Sequence, residues 1–306
     1  MVKPSSLFKF YSEVNPIKQL HKFSKLLGPI LIVYGIALAW SLSSQLIPFL
    51  MGLFDIDIDE TNIPMSLNLL FLYAEAVGII GMVVYYRGDH TLLPFSCQNA
   101  VRDYALGLLF GLLMFSLIWG IIALLGGYHV LATFQWSNLL WLVLFFFGYV
   151  IQSMFEELLC RGYIMGYWLK QNRVGLAVLL NAIFFTLLHL ANPGYNFSAA
   201  TGLFFFAIAM SQFRLLTGNI WLCGAFHAIW NFAEGPIFGT TVSGLSGEKF
   251  VLESLPTTTS QSLTGGVFGL EASVASNVVH ILLVVLLGII LLFWQKRRTH
   301  PVLSAN

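Results

Sequence analysis

Charge is what this sequence has least of. Fifteen Lys and Arg and fourteen Asp and Glu make up 9% of its 306 residues, where soluble domains carry roughly 25%. With 58% of residues hydrophobic, that shortfall excludes an ordinary soluble globular protein and describes a polytopic membrane one. The formal net charge is +1, and the basic residues are spread through the loops instead of gathered in a patch, which excludes a nucleic-acid partner. Cysteine is scarce too. Cys97, Cys160 and Cys223 are odd in number, far apart and without a CxxC spacing, so neither a disulfide framework nor a thiolate metal site is indicated. There is no internal repeat, no separate soluble domain and no His-Glu-x-x-His helix.

What is present is apolar sequence in lengths that suit a bilayer. Five lysines precede Leu26 and resemble a signal-peptide n-region, but the apolar stretch behind them runs 29 residues, from Leu26 to Phe54. A signal h-region is about 7 to 15, so this reads as a retained first span. A crossing helix needs about 20 apolar residues, and that rule predicts an all-α integral membrane protein of about eight transmembrane helices: 27–53, 64–86, 104–125, 139–160, 174–191, 198–216, 218–236 and 276–294. The fourth helix is expected to continue to about Lys170. Gly126-Gly127-Tyr128-His129 and Ala191-Asn192-Pro193-Gly194 break the longer uncharged runs into hairpins, and 236–275 reads as the one long polar loop.

Eight spans put both termini on one side, and that side then holds 14 of the 15 basic residues, all but Lys249. Retained cytoplasmic loops carry the Lys and Arg excess, so both termini are expected in the cytoplasm, with the acidic run Asp55-Ile56-Asp57-Ile58-Asp59-Glu60 and the 236–275 loop outside. A bacterial inner membrane is the expected location. Three parts follow: 1–138, an N-terminal segment with three spans; 139–235, four spans with the candidate chemistry; and 236–306, an exterior loop, a last span and a basic tail.

The candidate chemistry starts at Phe155-Glu156-Glu157-Leu158-Leu159-Cys160-Arg161. Between Asp103 and Glu156 lie 52 residues without one Asp, Glu, Lys or Arg, so two adjacent acids arrive straight out of membrane-like sequence, where an ionisable group is costly unless it has a partner or a task. Glu157 and Arg161, four apart, share a helix face. Glu156 points about 100° away and is left free to act. Downstream, His189 lies in Phe185-Thr186-Leu187-Leu188-His189, and His227 and Asn231 share a face in His227-Ala228-Ile229-Trp230-Asn231. From the turn near 170–173, Glu156 and His189 lie about 14 and 16 residues up their helices, which is about 21 to 24 Å at 1.5 Å per residue. His227 and Asn231 lie about 14 to 20 Å above the turn at 217–219 on the same rise. One cluster inside the helix bundle is therefore possible.

Glu-Glu-x-x-x-Arg, then Phe-x-x-x-His, then His-x-x-x-Asn, each in its own span, resembles the CPBP family of intramembrane proteases, which includes the Rce-type CAAX prenyl endopeptidases and the bacterial Abi proteins. The resemblance covers about 139 to 235. It implies an endopeptidase in which Glu156 and His189 activate water, His227 and Asn231 stabilise the oxyanion, and Glu157 with Arg161 holds the first helix in shape. The substrate implied is a membrane-anchored or lipidated, C-terminally tagged protein or peptide in the lipid bilayer. The residues agree with this on their own terms: a carboxylate in a low-dielectric site gains proton affinity, which suits a general base, and an amide and an imidazole aimed at one point suit an oxyanion.

Other readings stay open at this stage. His189, His227 and Glu156 could instead hold zinc with one open position, although a site without a cofactor is the expectation. A transporter using the same buried groups and a non-catalytic immunity-type protein are the competing classes. Glu157 and Arg161 could form a surface ion pair, and Glu75 could pair with Arg87, snorkel or line the cavity. Cys160 and Cys223 read as small buried hydrophobes, and the Phe runs 145–147 and 204–206 read as lipid-facing bulk. His129, His280 and His300 are assigned no role.

Overall fold

A computed structural model describes residues 16–45, 49–51 and 64–299. Lys3, Lys9, the acidic run 55–60 and His300 lie outside the described residues. The described chain is built of helices α1 (Pro16–Ser41), α2 (Met65–Tyr85), α3 (Ala100–Leu124), α4 (Leu139–Glu157), α5 (Met165–Leu169), α6 (Val174–Leu188), α7 (Phe197–Thr217), α8 (Trp221–Phe232), α9 (Gln261–Thr264) and α10 (Val274–Thr299). Two short strands, β1 (Tyr128–Ala132) and β2 (Leu252–Pro256), complete it.

Five helical stretches among the described residues are long and apolar enough to cross a membrane: 65–85, 100–124, 136–169, 197–217 and 274–296. Their outward side chains stay bare, as Ile80, Leu113 and Leu282 do; in lipid that apolar surface needs no cover, whereas the polar groups must be satisfied inside. Among the described residues the other expected spans are covered by shorter helices, and part of the first one, 27–53, lies outside the described residues. The apolar part of α1 is 26–41, α6 has 15 residues and α8 only 12. Helix α6 stops because its C-terminal carbonyls are taken by single-turn bonds, Leu190 N–H donating to Leu187 and Asn192 N–H to His189, ahead of the Asn-Pro-Gly turn.

The stretch 236–275 is not a plain polar loop. Its strand β2 pairs antiparallel with β1, Val130 opposite Ser254, so the Gly126-Gly127 break opens into a strand and the fold is helical with one two-stranded sheet. The buried Ser254 hydroxyl, which accepts from Trp119 Nε1 at 2.9 Å and donates to the Phe238 carbonyl at 2.6 Å, ties that sheet to α3.

Helix α8 lies against α3 and α4, and its seat is specified by glycine. Gly107-Leu108-Leu109-Phe110-Gly111 on α3 is a small-x-x-x-small stripe of the kind that lets membrane helices approach backbone to backbone. A Cβ on Gly107 would run into the Leu222 carbonyl and lie 2.8 Å from Ala225 Cβ; one on Gly111 would lie 2.7 Å from the Phe226 carbonyl. The start of α8 is pinned as well. Asp103, buried in the first turn of α3, accepts from Asn219 Nδ2 at 2.7 Å, and Asn219 Oδ1 accepts the Trp221 N–H at 3.0 Å. On α7, the buried Arg214 donates to the carbonyls of Thr91 at 2.6 Å and Gly162 at 3.4 Å, fastening the segment after α4 from behind.

Candidate active site

Helix α4 carries no polar side chain from Leu139 until Gln152-Ser153, apart from the Tyr149 hydroxyl, and ends at Glu157. The chain then winds as a π-helix over Leu158–Ile164 before resuming as α5. Such widened turns cost hydrogen-bond geometry and concentrate at functional sites. Glu157 immediately precedes it and Arg161 lies in its middle. Both side chains are 0% exposed, with Arg161 Nη1 donating to Glu157 Oε1 at 2.8 Å, so the pair is a buried one and the surface ion-pair reading is wrong. The guanidinium also lies over the Phe185 ring of α6, 4.7 Å from its centroid, where ring quadrupole and cation attract.

The same Glu157 Oε1 lies 3.1 Å from His227 Nδ1. A carboxylate oxygen paired with Arg161 can only accept, so Nδ1 carries the proton and donates. The other ring nitrogen, Nε2, then faces Glu156 Oε2 at 3.8 Å. Successive helical residues diverge by about 100°, and here that divergence lets two adjacent glutamates address the two nitrogens of one imidazole. Besides its bond to Arg161, Glu157 thus fixes one face of the His227 ring, the arrangement by which a second carboxylate can orient an imidazole.

Gln152, one turn before Glu156, received no role from the motifs. Its Nε2 donates to Glu156 Oε1 at 2.5 Å, and its Oε1 accepts from Asn231 Nδ2 at 3.0 Å and from Ser153 Oγ at 3.2 Å. The signal available in the sequence was its place, four residues before Glu156 in a run of apolar residues. Four of the six expected residues, Glu156, Glu157, Arg161 and His227, are thus directly linked, and Asn231 joins through Gln152.

His189 is placed differently from expectation. It is the residue after α6, not inside a helix, and its Nδ1 donates to the Phe185 carbonyl at 2.9 Å, which leaves Nε2 free of that bond. Among the described residues it makes no ion pair with Glu156. It comes to the cluster through Phe185, whose centroid is 4.9 Å from the His189 ring and 5.7 Å from the His227 ring. Phe206 closes the far side, 5.3 Å from His227. Phe206 and Phe145 are buried, so neither Phe run is lipid-facing throughout; of these six, Phe147 is the largely exposed one.

Glu156 is 18% exposed by its side chain and opens on a cavity of about 400 Å³, lined also by Tyr34, Leu38, Glu75, Phe155, Phe184 and Leu187. Glu75 therefore takes the third of its expected roles: it lines this cavity, and it forms no ion pair with Arg87 among the described residues. Cys160 and Cys223 are fully buried, and the Cys223 thiol donates to the Ile220 carbonyl at 3.2 Å, as expected of small apolar-like side chains.

No three of His, Cys, Asp and Glu among the described residues are arranged to hold a metal ion. His227 and His189 each engage Nδ1 elsewhere and keep Nε2 open, and among the described residues no hydrogen bond or ion pair joins His189 to Glu156.

Residues 136–233 match the family described as type II CAAX prenyl endopeptidase Rce1-like. The matched segment is about a third of the chain and contains all three motifs, so it is similar to the same protease family that the motifs resemble. No curated protein and no solved structure gives a match.

Proposed function

We propose that this protein is an intramembrane endopeptidase that hydrolyses a peptide bond in a membrane-anchored or lipidated, C-terminally tagged substrate. One observation carries the reading: a carboxylate at the end of a membrane-embedded cavity, Glu156, faces an imidazole whose other nitrogen is fixed by a second, buried carboxylate. Glu156 Oε2 takes a proton from water as the oxygen attacks the peptide carbonyl, and His189 helps to hold that water. Asn231 Nδ2, with one hydrogen given to Gln152, has a second for the oxyanion. His227 can stabilise the oxyanion only through an Nε2–H, and because Nδ1 is already a donor, it does so as an imidazolium beside Glu157. The proton gained by Glu156 passes to the departing amine, so the site returns to its starting state.

Around this core we read eight crossings, with α6 and α8 as short ones and both termini cytoplasmic, in a bacterial inner membrane. The three-part division at 138 and 235 accompanies that topology. The test is cleavage of candidate membrane-anchored substrates by purified protein in nanodiscs, wild type beside Glu156→Gln, each with and without a strong zinc chelator. Loss with the variant alone is expected. Cleavage by Glu156→Gln at the wild-type rate would refute the assignment, and loss on chelation with rescue by zinc would return the metal mechanism.

A further inference from the structure

We propose that Gln152 is a positioning residue that locks the general base and the oxyanion donor into one register; the inference rests on the proteolytic reading above. A side-chain amide has one end that donates and one that accepts, and Gln152 uses both. Nε2 meets Glu156 Oε1 at 2.5 Å and Oε1 meets Asn231 Nδ2 at 3.0 Å. A carboxylate accepts only, so it dictates which end of Gln152 faces it, and that end in turn dictates which end of Asn231 faces Gln152. The orientation of Asn231 is thereby set from Glu156 through two amides. The NH₂ group of Asn231 is thus turned towards Gln152, and its second hydrogen is the one available to a developing oxyanion.

The same bond selects the working oxygen of the base. With Oε1 engaged by Gln152, Oε2 is the atom left towards His227 Nε2. A lone carboxylate on a flexible two-methylene stem would exchange its oxygens and rotate, and a displacement of 1 Å in such geometry costs about 100-fold in rate. Gln152 sits on α4 and Asn231 on α8, so the clamp also holds those two helices in register at the level of the reaction. Ser153 Oγ, donating to Gln152 Oε1 at 3.2 Å, adds a third restraint on the amide.

Gln152→Met keeps length and volume but neither donates nor accepts. It is expected to lower kcat about 10- to 100-fold with KM within two-fold of wild type. In an Asn231→Ala background the same change should cost less than in the wild type, because one of the two residues it positions is gone and only Glu156 remains. A purely structural role would lower both by the same factor and would lower thermal stability in parallel.

A substrate-free measurement separates this inference from the protease assignment: the ¹⁵N-labelled side-chain amide of Asn231, followed by NMR in nanodiscs. Glu156→Ala should shift that resonance in the wild type and leave it unmoved in Gln152→Met. An Asn231 signal indifferent to Gln152→Met, or equal kcat losses in the two backgrounds, overturns the clamp. A wild type that cuts no substrate while the amide coupling is present overturns the protease assignment alone.

Discussion

Glu157 offers the sharpest separation of architecture from chemistry, because one oxygen serves both. Glu157 Oε1 accepts from Arg161 Nη1 at 2.8 Å and from His227 Nδ1 at 3.1 Å, and all three side chains are buried. Glu157→Gln keeps the shape and removes the charge. Breaking one partner of a buried pair leaves the other uncompensated and costs about 3 to 5 kcal/mol, offset slightly by the Phe185 ring under the guanidinium. The second effect falls on His227, which loses the acceptor that fixes its tautomer and stabilises its imidazolium; in the comparable replacement of a triad aspartate by its amide, rate falls about 10⁴-fold. A loss of about 10² to 10⁴ in kcat is expected here.

The decisive variant adds Arg161→Met. Replacing both members of a buried ion pair by apolar or neutral groups of similar volume is often neutral or stabilising, so Glu157→Gln/Arg161→Met should regain most of the lost thermal stability. It should regain none of the lost kcat, because His227 is still without its carboxylate. Detergent-solubilised unfolding followed by Trp fluorescence gives the first quantity and peptide cleavage in nanodiscs the second. Recovery of activity together with stability would refute the orienting role and reduce Glu157 to half of a structural pair.

Four further outcomes are expected. Glu75→Gln should leave kcat within about ten-fold while changing KM, since Glu75 lines the cavity beside Glu156 but, among the described residues, no hydrogen bond or ion pair joins it to the cluster; a loss as complete as that of Glu156→Gln would make Glu75 a second catalytic acid. Gly107→Val places a branched side chain against the Leu222 carbonyl and should displace α8, costing about 1 to 3 kcal/mol and most of the activity. Gly120→Ala on the same helix meets nothing within 4 Å and should be silent in both thermal unfolding and cleavage. Asp89, in the α2–α3 connection, is raised by partial burial but lowered further by the Lys170 ammonium and the N–H groups of Leu92 and Thr91, so its carboxyl sits below the usual range. Its stabilising contribution is therefore present above about pH 4 and lost as the pH falls through its folded value; with Lys170 44% exposed it is at most about 1 kcal/mol, and Asp89→Asn should flatten that acid dependence in thermal unfolding.

The helical membrane class, the stretch that carries the acids and the side chains that meet there were legible because each left a periodic or compositional mark. Eight spans did not follow in the same way. Hydropathy sees apolar composition, and α6 is as apolar as any span, but α8 carries His227 and Asn231, and the two helices end at hydrogen bonds near His189 and at the π-helical turn at Ala233–Ile237, which composition does not record. The strand pair β1–β2 was hidden for another reason, since its two halves lie more than a hundred residues apart and short strands carry little period of their own.

The site shows the same division at atomic scale. Glu-Glu is visible as two acids in membrane, and their spacing to Arg161 says that one of them is paired. What no spacing says is that the pair's acid continues to His227. That link depends on where α8 is seated, and the seat is set by Gly107 and Gly111, some fifty residues before the motif and with no chemistry of their own. Once α8 is placed, the adjacency of the glutamates acquires a reason: an imidazole approaching α4 side-on meets Glu157 with Nδ1 at 3.1 Å and Glu156 with Nε2 at 3.8 Å, and only neighbouring residues, about 100° apart, present carboxylates to both nitrogens at once. A single glutamate would orient the ring or work with it, but not both. Exchanging the order of demands tests this directly: Glu156→Gln should abolish turnover while leaving the Arg161 pair and the unfolding midpoint nearly intact, and Glu157→Gln should lower both.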